Sequence, residues 1–322
     1  MYAIRQHRLG GPEVLVHEEV PDPVAAEGQV RIVVDAVGVH LVDTWIRRGE
    51  FFRLADLPTV PGREVAGVVD AIGRGVDESW LGARVTSHLG QAGGGYAELA
   101  VADVTSVHRV PDGLALDVAV AAVGTGRTAV GVLDHVDLGP EDVVVVTAAS
   151  GGLGSVLVRA ALHAGATVVG LAGGPDKVDH VRALGSSVVV DYRADDWDAR
   201  VREAIGGATA TVVLDGVGGP QSLRAYALLR DGGTLVNYTG ADPDAYEHPH
   251  RTMSSPLGPD WMQTRPGGLR GAEEEALAAA VDGSRTPVVG SRFALSDAAG
   301  AHRALEARET VGKVVLVPDA RP

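Results

Sequence analysis

Val143–Val146 is an unbroken apolar run, the pattern of a buried strand. A turn of small residues follows, Thr147-Ala148-Ala149-Ser150-Gly151-Gly152. Apolar positions then recur at Leu153, Val156, Leu157, Ala160 and Ala161, the spacing of one helix face. Strand, glycine turn and helix in that order form a dinucleotide site. Glycine lets backbone approach a pyrophosphate, and the helix N-terminus presents free N–H groups and a positive dipole end. Ser150, Gly151, Gly152, Leu153 and Gly154 are its candidate residues. Close packing of a helix on a strand also demands small residues, so the turn draws its weight from context.

That context is present. Thr167–Leu171, Ser187–Asp191, Ala210–Asp215 and Thr234–Tyr238 read as strands. Asp176–Leu184, Asp195–Ile205 and Pro220–Leu229 read as the helices between them. Strands alternating with helices predict an α/β region with a doubly wound parallel sheet. Asn237, Tyr238 and Gly240 end a strand at the carboxyl edge, where cofactors bind in such sheets.

The first 120 residues differ. Short strands are expected at Ala3–Gln6, Val14–Glu19, Gln29–Val39, Val65–Ile72 and Tyr96–Val101, separated by Gly- and Pro-containing turns. One helix, Leu41–Arg48, interrupts this β-rich lobe. Two helical segments, Leu116–Val123 and Thr125–Leu133, lead into the α/β region. Asp242–Gly268 is rich in Pro, Gly and His and reads as irregular. Beyond it come a helix Glu273–Val281, a strand Val288–Phe293, a helix capped by Ser296-Asp297 and running through Ala307, and a strand Lys313–Val317. The expected organisation is 1–122 as the β-rich lobe, 123–268 as the nucleotide-binding domain and 269–322 as a return to the first lobe.

Composition narrows the chemistry. At 322 residues the chain holds two domains of ordinary size, and its 45% hydrophobic content supports a full core. A net charge of −14 argues against a nucleic-acid surface. No apolar run reaches the roughly 18 residues that span a bilayer, which predicts no membrane partner. Met1-Tyr2-Ala3-Ile4-Arg5 reads directly as a strand, so a cytoplasmic protein is expected. Cysteine is absent, which removes disulfides, thiolate catalysis and cysteine-ligated zinc. No histidine pair shows helical metal-ligand spacing, and His248 and His250 read as a surface loop.

Ordered motifs then carry a resemblance. They are Ala36-Val37-Gly38-Val39-His40-Leu41-Val42-Asp43-Thr44-Trp45-Ile46-Arg47-Arg48-Gly49, Pro61-Gly62-Arg63-Glu64-Val65-Ala66-Gly67 and Gly94-Gly95-Tyr96-Ala97-Glu98. The glycine turn, Val213-Leu214-Asp215-Gly216-Val217-Gly218-Gly219 and Leu305-Glu306-Ala307-Arg308-Glu309-Thr310-Val311-Gly312-Lys313 complete the set. Nearly end to end, the chain resembles the zinc-free quinone oxidoreductase (zeta-crystallin-like) branch of the medium-chain dehydrogenase/reductases. The resemblance implies a GroES-like β-rich lobe, a Rossmann doubly wound parallel-sheet domain, a cleft between them and a homodimer.

It also implies site residues. Zinc enzymes of the superfamily carry cysteine where His40 stands and histidine where Arg63 stands. Arginine offers no lone pair to a cation, so no metal is expected. His40, Asp43 and Trp45 would face the nicotinamide, with His40 as proton donor or as a structural histidine, Asp43 orienting it, binding the ribose or capping the helix, and Trp45 walling the cleft. The branch commonly has asparagine at the His40 position and tyrosine at the Trp45 position, so the chain departs twice. Thr128, Asp215, Val217 and Lys313 would join the cofactor contacts. The second strand of the α/β region runs into Leu171-Ala172-Gly173-Gly174 without the acid that binds an NAD ribose. The resemblance places a 2′-phosphate at Gly173, Gly174, Lys177 and Tyr192, which favours NADP(H). Asp176 dissents, although an acid in a first helical turn also complements the dipole.

The expected function is metal-free, NADPH-dependent hydride transfer to a quinone or an α,β-unsaturated carbonyl. A pathway-specific enoyl reductase and a non-catalytic NADPH-binding sensor or structural protein are the alternatives.

Overall fold

The computed structural model describes residues 1–51, 56–239, 246, 251–254 and 256–319, without the side chains of 251–254. The first run of elements is β1 (Tyr2–Gln6), β2 (Leu15–Glu19), β3 (Gln29–Val39), α1 (Leu41–Arg48), β4 (Glu64–Ile72), β5 (Arg84–His88), β6 (Leu99–Asp103), β7 (Val107–Arg109) and α2 (Leu116–Ala121). The middle run is α3 (Arg127–Leu133), β8 (Val143–Val146), α4 (Gly152–His163), β9 (Thr167–Ala172), α5 (Pro175–Ala183), β10 (Val188–Asp191), α6 (Trp197–Ala204), β11 (Ala210–Asp215), α7 (Gly219–Tyr226), β12 (Leu229–Asn237), β13 (Arg251–Ser254), α8 (Pro259–Thr264) and α9 (Gly268–Val281). The last is β14 (Val289–Ala294), α10 (Ala298–Glu306) and β15 (Lys313–Val317). The chain forms two compact units, Met1–Gly124 with Val289–Pro322, and Thr125–Val288.

In the first unit, strands run β14-β15-β3-β4-β5-β7, with β6 also paired to β3. β3 begins half-buried, with Val30, Ile32 and Val34 inward, and then buries every residue from Ala36 to Val39. The change follows its neighbours: β4 and β15 pair on either side there, and Val120 of α2 covers Ala36 and Ala66. α1 starts where the Asp43 carboxylate accepts from the His40 backbone N–H at 2.8 Å, and it ends at Gly49, in the left-handed region at φ 79°. Arg47 and Arg48 complement the dipole in its last turn.

The second unit holds a parallel sheet in the order β10-β9-β8-β11-β12-β13. Its valine-rich strands are buried because helices cover both faces. Carboxyl ends of the strands share one edge, where β8 runs into the glycine turn.

Differences from the sequence reading have physical causes. The chain returns to the first unit at Val289 rather than 269, because α9 packs in the second unit. Its Ala272 and Ala276 meet Val130 and Trp261, and its buried Glu273 accepts from Arg127 at 2.9 Å. Asp242–Gly268 is not wholly irregular, since β13 pairs along β12 and α8 follows. Leu229 opens β12 instead of closing a helix, held by its register with Ala210. Tyr96 precedes its strand, which begins at Leu99, and β5 and β7 are additional short strands. Asp297 rather than Ser296 caps α10, accepting from Gly300, while Ser296 bonds to Asp319. Leu116–Leu133 is a continuous helical stretch through a π-helical turn at Ala122–Gly126, with a mean hydropathy of 1.4. By length and composition it could cross a membrane, although Asp117 and Arg127 interrupt its apolar run, but 67% of it is buried inside the protein, as in a core helix.

Candidate functional site

The glycine turn of the second unit is built as a cradle. Gly151 is the N-cap of α4 and has no side chain to bond the first-turn amides of Gly152, Leu153 and Gly154. A Cβ built on Gly154 would lie 2.2 Å from the Ala148 carbonyl oxygen, so only glycine lets the helix seat this close to the turn. Ala148 itself is in the left-handed region at φ 47°, an uncommon conformation for alanine that bends the chain from β8 into the turn. Ser150 is buried, and Leu153 packs partly buried on the core. An anion fits such a helix terminus through backbone donors and the dipole.

A second corner forms where β9 ends. The Tyr192 hydroxyl stands 2.7 Å from where a Gly173 Cβ would be, and Arg193 stands equally close to that of Gly174. Asp191 holds the Arg193 guanidinium at 3.0 Å, and that guanidinium keeps the carboxyl below the usual carboxylate range. Lys177 lies in the first turns of α5, partly buried. The corner thus offers a hydroxyl and two cationic side chains, and Ala172 at the strand end brings no acid. Arg193 was missed by the sequence reading; its place directly after Tyr192 was the available signal.

Four expected cofactor contacts have other work. Asp215 is fully buried and accepts from Thr147 Oγ1 at 2.7 Å, Asn237 Nδ2 at 2.6 Å, Gly218 N at 3.0 Å and Val217 N at 3.3 Å. The carboxylate organises the strand ends through the Val217 backbone N–H and the Asn237 side-chain amide. Lys313 belongs to the first unit, where its ammonium lies 2.5 Å from Glu64 Oε1. The Tyr238 hydroxyl is buried without a hydrogen-bond partner among the described residues, and its ring lies over Gly216. Burial, with Asp215 nearby, pushes that phenol well above its ordinary range. Thr128 sits partly buried on α3. Gly240, like His248 and His250, lies outside the described residues.

In the first unit, His40 is one-fifth exposed, and its Nε2 is 2.8 Å from Glu64 Oε1 and 3.0 Å from Lys313 Nζ. Glu64 is completely buried. Burial alone would raise its proton affinity, but His40 and Lys313 outweigh that and hold it far below the carboxylate range. Burial also pulls Lys313 down, against the opposite pull of Glu64. Sequence reading missed Glu64 as a functional candidate, because a lone acid in a strand motif carries no sign of what it will face.

Asp43 is engaged within the first unit. It is buried, capping α1 and accepting from Arg63 Nε at 3.2 Å. Trp45 is two positions on, about 200° around the helix at 100° per residue, and so lies on another face. There it lines an open groove of about 410 Å³ with Leu41, Arg48 and Leu305, and its ring meets Phe51 at 6.3 Å. The expected trio of His40, Asp43 and Trp45 is therefore not one cluster. His40 joins Glu64 and Lys313 instead.

These residues do not fit a divalent metal. An ammonium sits beside His40 Nε2, and Arg63 occupies Asp43. Among the described residues no group of three or more His, Cys, Asp or Glu side chains is placed to hold one.

A family model described as zinc-binding dehydrogenase matches residues 184–316, and one described as alcohol dehydrogenase GroES-like domain matches residues 26–112. The chain is 33% identical to a 2-haloacrylate reductase of a Burkholderia species, with 98% of each chain covered. It is 31% identical to a quinone oxidoreductase of Lama guanicoe, covering 98% of this chain and 97% of the other. A mycobacterial structure complexed with NADPH shares 35% identity at a TM-score of 0.84, covering 99% of this chain and 100% of that one. The Escherichia coli quinone oxidoreductase complexed with NADPH shares 27% at a TM-score of 0.85, with the same coverage. The two units, their glycine cradle and these likenesses agree: the chain belongs to the medium-chain dehydrogenase/reductase family, in its quinone oxidoreductase branch.

Proposed function

We propose that the protein is a metal-free, NADPH-dependent reductase of quinones or α,β-unsaturated carbonyls. The observation that carries the cofactor is the cradle of the second unit. A side-chain-free helix N-terminus suits a diphosphate, and the corner of Lys177, Tyr192 and Arg193 suits a 2′-phosphate. The buried Tyr238 hydroxyl, which has no partner among the described residues, adds a donor suited to a ligand. Relatives solved with NADPH support the same choice.

Bound NADPH supplies a hydride. The protein's part is to hold the cofactor by its phosphates and to deliver the accompanying proton. His40 is assigned that proton, since it is the partly exposed member of a buried charged group. Hydride and proton together reduce a quinone to a hydroquinone, or add across an enone with hydride at the β-carbon. Without a Lewis acid to polarise a simple ketone, electron-poor acceptors are the fitting class. The relative named 2-haloacrylate reductase favours an activated alkene, which keeps a pathway-specific enoyl reductase as the second reading. A homodimer belongs to the proposal, with the outer edge of β13 as the edge through which two parallel sheets would join.

The test follows NADPH oxidation by purified protein over a panel of quinones and enones, with NADH as control. Turnover on at least one acceptor, faster with NADPH, is expected. NADPH binding with no turnover on any acceptor would leave the non-catalytic reading in its place.

A further inference from the structure

We infer that Arg159 of α4 and His180 of α5 form an anion site of their own, built for the phosphate group of inorganic phosphate or of a phosphate monoester. The site lies wholly within the second unit and does not rest on the proposed activity.

The two helices pack into one core cluster. Val156 and Leu157 of α4 share it with Val178 and Val181 of α5, joined by Leu162 and Leu184. Leu162 marks the level at which they meet, since its Cδ1 is 3.3 Å from where a Gly185 Cβ would lie. One turn back from Leu162 along α4 is Arg159. One turn back from Leu184 along α5 is His180, whose carbonyl accepts from the Leu184 N–H at 3.2 Å. Both side chains are half-buried at matching levels of neighbouring helices.

No acid answers this basic pair. Arg159 Nε and His180 Nε2 are both shut off from solvent with no hydrogen-bond partner among the described residues. Neither is ion-paired among those residues, and the charge acting on His180 is the like charge of Arg159. α4 carries no acid from Gly152 to His163. On α5, Asp179 is taken by Arg182 at 2.8 Å, and Asp176 lies exposed in the first turn. The chain has a net charge of −14, so an arginine and a histidine side by side without a carboxylate run against its composition. A buried donor without an acceptor is costly, and two of them on one groove suit an acceptor brought by a ligand.

The chemistry of that ligand follows from the donors. Burial, and after it the Arg159 charge, holds His180 below the usual histidine range, so at neutral pH it is an uncharged imidazole. With its proton on Nε2 it gives one N–H, and the guanidinium adds a planar fork of donors. A tetrahedral oxyanion accepts from both helices at once and supplies the negative charge. Arg159 lies seven residues beyond Gly152, roughly 10 Å along α4 from its first turn, which separates this site from the glycine cradle. A phosphate held there ties together the two helices whose first turns build the cradle and the Lys177 corner.

The test titrates the full chain with inorganic phosphate at constant ionic strength and follows the His180 ring by ¹⁵N NMR, its signals assigned through the backbone. Phosphate is expected to move them in the wild type, and sodium chloride is not. Arg159→Gln is expected to raise the phosphate concentration required by about tenfold or more, and Arg159→Lys by less. NADPH affinity of Arg159→Gln, read by calorimetry, is expected to stay within about twofold of the wild type. Glycerol 3-phosphate separates the two sources: a tighter response than phosphate assigns the site to a monoester, and an equal or weaker one to the inorganic ion. Unmoved His180 signals in the wild type, a measurement that needs no variant, overturn the inference. So does an equal response to chloride or acetate, or an undiminished response in Arg159→Gln. A parallel loss of NADPH affinity would overturn the separateness of the site. Absence of turnover on every quinone and enone would overturn the proposed function and leave this result standing.

Discussion

Tyr96 and His302 meet edge to face, ring centroids 5.8 Å apart at 87°, with the phenol oxygen 2.9 Å from Nε2. On the other side, Arg47 donates to Nδ1 at 3.0 Å. Arginine cannot accept, so Nδ1 is the lone-pair nitrogen and Nε2 carries the hydrogen that Tyr96 receives. The neutral tautomer is thereby fixed between α1 and α10.

That relationship sets an acid limit on stability. Burial pushes His302 down to about 4, with the Arg47 and Arg48 charges acting in the same direction. An unfolded histidine titrates near 6.5, so between these values the unfolded chain binds the extra proton and stability falls as pH falls. From pH 7 to pH 4 the loss from this group is about 3 kcal/mol. Urea unfolding at pH 7 and pH 5 checks it: His302→Gln is less stable at pH 7 but has a shallower decline toward acid. Equal slopes in the two proteins would refute the assignment.

Gly154→Ala is expected to weaken NADPH binding by about tenfold or more, roughly 1.4 kcal/mol. The new methyl meets the Ala148 carbonyl and forces α4 off the turn that aims its amides. Titration calorimetry against the wild type reads it. Unchanged affinity in a folded variant would remove the cradle from the binding site.

Arg193→Ala is expected to reduce NADPH affinity by about three- to tenfold, while NADH affinity changes little. The guanidinium is more than half exposed, so its effect is modest and shrinks with added salt. The ratio of the two affinities is the measurement. A parallel loss for both cofactors would place Arg193 in loop structure rather than in phosphate recognition.

Gly38→Ala should destabilise the first unit by about 1–3 kcal/mol, the usual cost of overpacking. Its methyl would overlap Glu64 Oε1, which cannot move because Gly124 faces its other oxygen. Thermal unfolding monitored by circular dichroism shows the loss. A wild-type melting temperature would mean that the slot is looser than its geometry states.

Much of this was legible in the residues. Leu41–Arg48, Ala210–Asp215 and Lys313–Val317 have the ends expected of them, since caps, apolar runs and glycines are local signals. The cradle was legible for the same reason, being four successive residues with one physical demand. Glu64 was not, because its partners lie 24 residues before it and 249 after it. The Asp43–Trp45 separation was hidden only by treating neighbours in sequence as neighbours in space, which a helix forbids. β13 escaped notice because Arg251-Thr252-Met253-Ser254 has no strand period of its own and takes its form from pairing with β12.

The order of the elements has a consequence for synthesis. Thr125–Val288 is one continuous stretch and needs nothing translated after it to complete its sheet. The first unit cannot close until β15 emerges and inserts between β14 and β3. Through all that time Glu64 waits without the lysine that neutralises it. On the ribosome the earlier-made half is the later to mature, and Glu64 leaves water only when the strand that brings its counter-charge is in place.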